Sequence, residues 1–254
     1  MPGRIATFLD TIAERRILRR WAAAQGQVPD LSALKALRGR ARHVRREADR
    51  LLHLAEGRLA AAGHSNALPQ ALHSDWAWRP EAWRGPLRPS GLAAVGTRTG
   101  FGAEATVFHD CKTSELSLRQ VRTRRDTDRA AYGLQMEVLG FDGSFLSLVI
   151  DLPEGAVQGI TQRHLVRLDA VIVAESPIEM FARLNVKHGP NTEQLVREMP
   201  RGSQEVVVEF DLAYAKFNEK RVERAWVDLI FDRPAMNRID LRDVSFSRRL
   251  RADL

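Results

Sequence analysis

Six side chains in the second half of the chain have the types and spacing of a recognition surface: Arg183, Asn185, His188, Asn191, Tyr214 and Trp226. A guanidinium and a carboxamide present hydrogen-bonding groups in fixed planar geometry. Tyr and Trp add flat apolar faces with a polar tip. Arg183 and Asn185 lie in the stretch Pro177 to Asn191, where Ile178, Met180, Ala182, Leu184 and Val186 alternate with Glu179, Phe181, Arg183, Asn185 and Lys187. A period of two marks a strand with one apolar face, so Arg183 and Asn185 point away from the core, as Asp228 does on a later strand. The stretch ends in Lys187-His188-Gly189-Pro190-Asn191, a turn because Pro supplies no ladder N–H and Gly and Asn tolerate positive φ. Loops at the rims of such sheets often bind ligands. A turn in which Asn191 merely bonds its own backbone is the competing reading.

Other chemistries find little support. No Gly-x-Ser-x-Gly elbow, no Gly-rich phosphate loop followed by Lys-Ser or Lys-Thr, and no His-Glu-x-x-His occurs. Cys111 is the only cysteine, so neither an intrachain disulfide nor a cysteine-based zinc site can form. It ends an apolar run in His109-Asp110-Cys111 and reads as a buried free thiol. Glycoside hydrolysis needs two carboxylates across a groove. Glu179, Glu209, Asp211 and Asp228 lie on predicted strands, and nothing selects a pair. No catalytic residue, metal or cofactor is assigned, and the chain is not expected to be an enzyme.

The elements that must position these groups follow from the pattern. From about residue 104 the chain repeats short alternating runs: Thr106–Phe108, Leu116 to Val121, Leu134–Phe141, Phe145–Ile150, Leu165–Ala174, Ile178–Val186, Val206–Leu212, Ala225–Phe231 and Ile239–Phe246. Asp142-Gly143 predicts a hairpin between the third and fourth of these. Thr192–Pro200 reads as a polar loop. No helical run separates consecutive strands, which argues against a parallel sheet and for an antiparallel sandwich of jelly-roll type. The expected fold is thus mainly β with an α-helical N-terminus: two helices, then the sandwich.

Three segments are predicted: a helical stem over 1–63, a Trp/Pro/Gly-rich linker over 64–103 and the sandwich over 104–254. In the stem, Ile5, Phe8, Leu9 and Ile12 recur at helical spacing, and Gly26 and Pro29 break the helix. Asp30 or Ser32 then caps a second helix, in which Leu34, Leu37, Ala41, Val44, Ala48, Leu51, Ala55 and Ala62 make a heptad seam. Gly63 is a suitable stop. In the linker, Trp76, Trp78 and Trp83 either pin the segment to the domain that follows or form a sugar-stacking platform.

The formal charge of +7 is uneven: residues 1–62 hold 13 basic and 6 acidic side chains, whereas residues 63–254 hold 26 of each. Arg outnumbers Lys 34 to 5. The stem has three readings: a hairpin folded on itself or on the sandwich, a coiled coil that makes a homo-oligomer, or an arginine-rich arm on nucleic acid or an anionic membrane. The arginines interleave with seam residues and lack an aromatic stacking platform, so a nucleic-acid partner is not expected. No run of about 18 apolar residues occurs, hence no transmembrane segment. The start lacks the apolar stretch of a secretory signal, which fits a cytoplasmic protein or a particle component released by lysis.

From Thr106 onward the chain resembles an uncharacterised alphaproteobacterial family. The residues that carry the likeness are Val-Phe-His-Asp-Cys (107–111), Phe-Asp-Gly-Ser-Phe-Leu-Ser-Leu-Val-Ile-Asp-Leu-Pro (141–153), Phe-Ala-Arg-Leu-Asn-Val-Lys-His-Gly-Pro-Asn-Thr-Glu-Gln (181–194), Phe-Asp-Leu-Ala-Tyr (210–214) and Asn-Glu-Lys-Arg-Val-Glu (218–223). That family brings no activity and transfers no catalytic residue. The strand order from residue 165 is also similar to galactose-binding-like jelly-roll carbohydrate-binding modules, which implies a glycan as ligand.

Together these readings predict a non-catalytic binding or adhesion protein, with a glycan-recognising sandwich and a helical segment that oligomerises or attaches it. The alternative is a structural spike of a phage-like particle, head or tail, docked on the capsid through residues 1–62.

Overall fold

A computed structural model describes residues 15–19, 21–23, 30–63, 68, 73–113, 115–123 and 128–251. The predicted helix over Ile5 to Ile12, its break at Gly26–Pro29 and most of the first part of the expected linker, 64–72, lie outside these residues. Residues 15–19 and 21–23 are helical. The chain divides into two units, one reaching His53 and one beginning at Leu54.

Helix α1 spans Leu31–Gly63. The Asp30 carboxylate caps it, accepting from the N–H groups of Ser32 and Ala33, and these bonds, with the Ser32 hydroxyl as the leading cause, hold its pKa down. The seam residues Leu34, Val44 and Leu51 are exposed.

The second unit is an antiparallel sandwich of thirteen described strands. In chain order these are β1 (Ser74–Trp78), β2 (Gly91–Leu92), β3 (Thr99–Phe101), β4 (Ala105–His109), β5 (Leu116–Arg122), β6 (Tyr132–Val138), β7 (Leu146–Asp151), β8 (His164–Ala174), β9 (Glu179–His188), β10 (Asn191–Glu198), β11 (Glu205–Asp211), β12 (Val222–Asp232) and β13 (Asn237–Leu250). One sheet runs β11-β8-β13-β6-β5-β2, with β1 also on β13; the other runs β10-β9-β12-β7-β4-β3. Successive strands repeatedly change sheet, as the jelly-roll expectation requires. A single core fills the space between the sheets, with Leu118, Leu134, Leu148, Ile150, Leu168, Phe210, Phe231 and Phe246 almost fully buried.

Three expectations need revision. Asp142-Gly143 does not close a hairpin: β6 pairs with β5 and β13 in one sheet, β7 with β4 and β12 in the other. The turn is an arch between sheets, held by Asp110, which accepts from the Ser144 N–H (2.7 Å), the Ser144 hydroxyl (2.6 Å) and the Phe145 N–H (3.2 Å). Turn chemistry signals a reversal of the chain and leaves open which neighbour each strand will pair with. Thr192–Pro200 is mostly strand, not loop. β10 pairs with β9 through the Gly189 turn (φ +60°), and as an edge strand it buries Leu195 while leaving its polar side chains in water.

The stretch read as a linker holds β1, β2 and β3, with a one-turn helix, α2 (Glu81–Arg84), between β1 and β2. Its tryptophans pack. Trp83 is fully buried and donates its indole N–H to the Leu241 carbonyl (2.9 Å), while Trp76 stacks on Trp78 and Trp78 on Phe246, with centroids 6.4 and 6.0 Å apart. β13 makes this possible. Its first half pairs with β6 and its second with β1, around a register shift between Leu241 and Asp243. Gly133 on β6 lies so near the shift that a Cβ there would sit 3.1 Å from the Leu241 carbonyl. A buried bidentate pair, Arg79 to Asp243 (2.8 and 2.9 Å), closes the junction.

Candidate functional site

The outer face of the six-stranded sheet carries the most developed arrangement of exposed chemistry. Its register sets three rows across the strands. Gln194, Asn185, Trp226 and Asp151 lie side by side on β10, β9, β12 and β7. The next row is Val196, Arg183, Asp228, Val149 and Thr106, ending on β4. The third is Glu198, Phe181, Ile230, Ser147 and Phe108. These are alternate residues of strands whose other faces supply the core. An open groove of about 480 Å³ lies over the rows, and Phe145 and Arg224 extend its lining. Trp226 and Ile230 are four residues apart on β12, so the outer rows stand about 13 Å apart, and five strands give the groove a length of about 19 Å.

The floor is a polar network. Asp228 is buried, with 2% of its side chain exposed, whereas its partner Arg183 keeps 35%. One carboxylate oxygen, Oδ2, accepts from Arg183 Nε (2.6 Å), Arg183 Nη2 (2.5 Å) and Asn185 Nδ2 (3.1 Å). Asn185 also donates to the Arg183 carbonyl (3.1 Å) and accepts from Gln194 Nε2 (3.0 Å). These bonds lock the amide and guanidinium planes. Beside the network lies an unsatisfied group: the Ser147 hydroxyl is buried and has no partner among the described residues. An orphaned buried hydroxyl costs free energy.

The walls are aromatic. Trp226 is half-buried with the Arg224 guanidinium 4.7 Å over its ring, while Phe108 is half-buried and Phe145 exposed on the far side. At the rim Lys187 pairs with Glu223 (2.7 Å), and that hydrogen bond holds the Glu223 carboxyl below its usual range. A floor of fixed donors and acceptors between flat apolar walls suits a hydroxyl-rich molecule with apolar C–H faces.

The six candidates divide. Arg183, Asn185 and Trp226 come together in the groove. His188 and Asn191 face each other across the β9–β10 turn, where His188 accepts the Asn218 N–H on Nδ1 (3.3 Å) and rests against Phe217. Tyr214 is exposed on the short turn Leu212–Tyr214 after β11. Sequence reasoning passed over Phe108, Phe145, Ser147, Gln194 and Arg224. The alternation on β4 and β7 places Phe108 and Ser147 outward, but only pairing shows that they share a face with Trp226.

The groups weighed for catalysis are otherwise engaged. Burial pushes the Cys111 thiol up, away from the reactive thiolate. Neighbouring His109 spends Nδ1 on the Cys111 N–H and Nε2 on the Val95 carbonyl. Glu179 pairs with Arg201 and Glu209 with Arg249, and Asp211 caps the turn at Ala213. Of those four carboxylates only Asp228 lines the groove. Among the described residues no group of three His, Cys, Asp or Glu side chains is placed to hold a metal ion. No described helix is long and apolar enough to cross a membrane.

Fold and face together define a jelly-roll sandwich with an aromatic-walled groove across one sheet. Residues 1–254 match a family of unknown function (DUF6478), and the chain belongs to that family. No curated protein matches it in sequence. Among solved structures the chain is similar to a family 11 carbohydrate-binding module from Clostridium thermocellum in complex with a β-1,3-1,4-mixed-linked tetrasaccharide, with 12% identity and a TM-score of 0.41 over 64% of this chain and 98% of that one. The xylan-binding domain CBM22-1 of Paenibacillus barcinonensis gives 12% identity and a TM-score of 0.37 over 72% and 100%. The enzymatically active domain of tailspike protein 4 from bacteriophage CBA120 gives 7% and 0.40 over 56% of this chain and 19% of that one.

Proposed function

We propose that the protein is a non-catalytic glycan-binding protein whose ligand lies in the groove across β10, β9, β12, β7 and β4, with the N-terminal helical segment attaching it elsewhere. The observation that carries this reading is the locked Arg183–Asp228–Asn185 floor between the Trp226 wall and the Phe108 and Phe145 wall. A sugar ring has an apolar C–H face to stack and a rim of hydroxyls that both donate and accept. The bonds to Asp228 fall on Oδ2. Arg183, 35% exposed, is the member of its pair with Asp228 placed to donate to a ring hydroxyl.

The test is a glycan array followed by affinity electrophoresis in gels containing soluble polysaccharides. Retardation by at least one neutral polysaccharide, abolished by Trp226→Ala while the thermal transition is kept, is the expected result. A flat array together with unretarded migration in every gel would overturn the proposal.

A further inference from the structure

Helix α1 carries a second kind of exposed chemistry. Within residues 31–50 it holds Lys35, Arg38, Arg40, Arg42, Arg45, Arg46 and Arg50 against only Glu47 and Asp49. Glu47 is taken by Arg50 at 2.7 Å. Arg38, Arg42, Arg46 and Arg50 follow one another at intervals of four, so like charges stack along one side of the helix and repel. The cap and the helix-forming sequence hold the helix together despite this, and an anionic partner would relieve it.

The opposite flank is apolar. Leu34, Leu37, Ala41, Val44, Ala48 and Leu51 recur at three and four along about 25 Å of helix. Leu34, Val44 and Leu51 are 42%, 45% and 67% exposed. A partner must therefore meet an apolar stripe and an arginine flank at once.

Charge and periodicity select among partners. In a parallel self-paired coiled coil with Leu34, Ala41 and Ala48 at one seam position and Leu37, Val44 and Leu51 at the other, Arg40 would face Arg45 of the second copy on both sides of the dimer. A nucleic-acid duplex would satisfy the arginines and leave the leucines in water. A bilayer with anionic headgroups satisfies both: the apolar stripe sinks to the acyl boundary, and the arginines meet lipid phosphates, which a guanidinium binds through two parallel hydrogen bonds.

We infer that α1 is an interfacial helix that attaches this protein to an anionic phospholipid surface. The inference deepens the attachment half of the reading above and is independent of the glycan half.

The test is flotation of the full-length protein with vesicles of phosphatidylcholine alone and of phosphatidylcholine with phosphatidylglycerol. The protein should rise with the anionic vesicles only and be released at high salt. Arg38→Gln, Arg42→Gln and Arg46→Gln together should lower partitioning by roughly a hundredfold, at about fivefold per charge. Gln keeps helix propensity close to that of Arg, so circular dichroism should be unchanged. Leu34→Gln with Leu51→Gln should also abolish flotation, with every charge in place. Flotation that ignores the anionic fraction or the arginine changes would overturn the inference. So would retardation on duplex DNA through these arginines with the vesicles left bare. Retardation in polysaccharide gels, measured on the same samples, reports the groove separately.

Discussion

Two of the Arg–Asp pairs in the sandwich stand in opposite settings. Arg79 and Asp243 exchange two parallel hydrogen bonds where β1 and β6 meet β13, with 2% and 6% of their side chains exposed. Arg183 and Asp228 join β9 to β12 on the outer face of the other sheet, and Arg183 stays 35% exposed. Burial keeps the first pair away from any ligand in solvent. Burial pushes the Asp243 carboxyl up even though Arg79 opposes that shift. The second pair has one end in the floor and one in the groove, so it can both hold two strands and meet a ligand. In this comparison the doubly buried pair is a clamp, and the half-exposed Arg183 is the member placed to meet a ligand.

The contrast can be broken by substitution. Arg79→Ala should have the largest effect, leaving Asp243 buried without its counter-charge at a cost of about 3–5 kcal/mol in chemical denaturation. Arg183→Ala should cost less, about 1.5–3 kcal/mol, because water can reach the vacated end, and it should remove glycan binding. If the two variants lose equal stability, the distinction fails.

Trp226→Ala should leave the denaturation midpoint nearly unchanged, since the ring is half-exposed, and weaken glycan binding by about 2 kcal/mol in titration calorimetry. Ser147→Ala sharpens the comparison between the two sheets. Ser147 in the groove and Ser245 on β13 both bury a hydroxyl without a partner among the described residues. Removing either should raise stability slightly by thermal denaturation, and neither should change glycan binding, since both hydroxyl oxygens are inaccessible.

The smallest effect concerns pH. Burial pushes the Asp75 carboxyl up, but the hydrogen bonds and charge of Arg248 together with the nearby His164 outweigh it, so its pKa lies below the ordinary value. A depressed carboxyl contributes stability that is present above its unfolded pKa of about 3.9 and lost as pH falls through the lower folded value. Asp75→Asn should flatten the acid limb of the stability curve there and leave glycan binding at neutral pH untouched.

How much of this was readable beforehand depended on the range of the interactions. Alternation of apolar and polar residues marked nine of the thirteen described strands, because the core-facing side of a strand is written into its own residues. β10 was missed because an edge strand buries little: one apolar contact, Leu195, among polar positions. β1, β2 and β3 were missed because Pro80, Pro86, Pro89 and several glycines looked like a linker, whereas Trp83 and Arg79 tie the segment to β13 more than 150 positions away in sequence. Arg183, Asn185 and Asp228 were visible as outward residues, and Trp226 as a candidate for ligand contact. That Phe108, Ser147 and Gln194 join them on one face was not visible, since their place beside Trp226 arises from register.

By itself the sequence determined the antiparallel two-layer class, the outward position of Arg183, Asn185 and Asp228, and the gathering of surplus positive charge in the N-terminal segment. These are local properties, set by side-chain period and composition. Only the tertiary structure decided that Asp142-Gly143 bridges two sheets, that the tryptophan segment is built into the sandwich, and that Ser147 and Phe108 complete a groove with Trp226. Each of those depends on which strands pair and in what register, and that is settled by burying all the apolar faces at once.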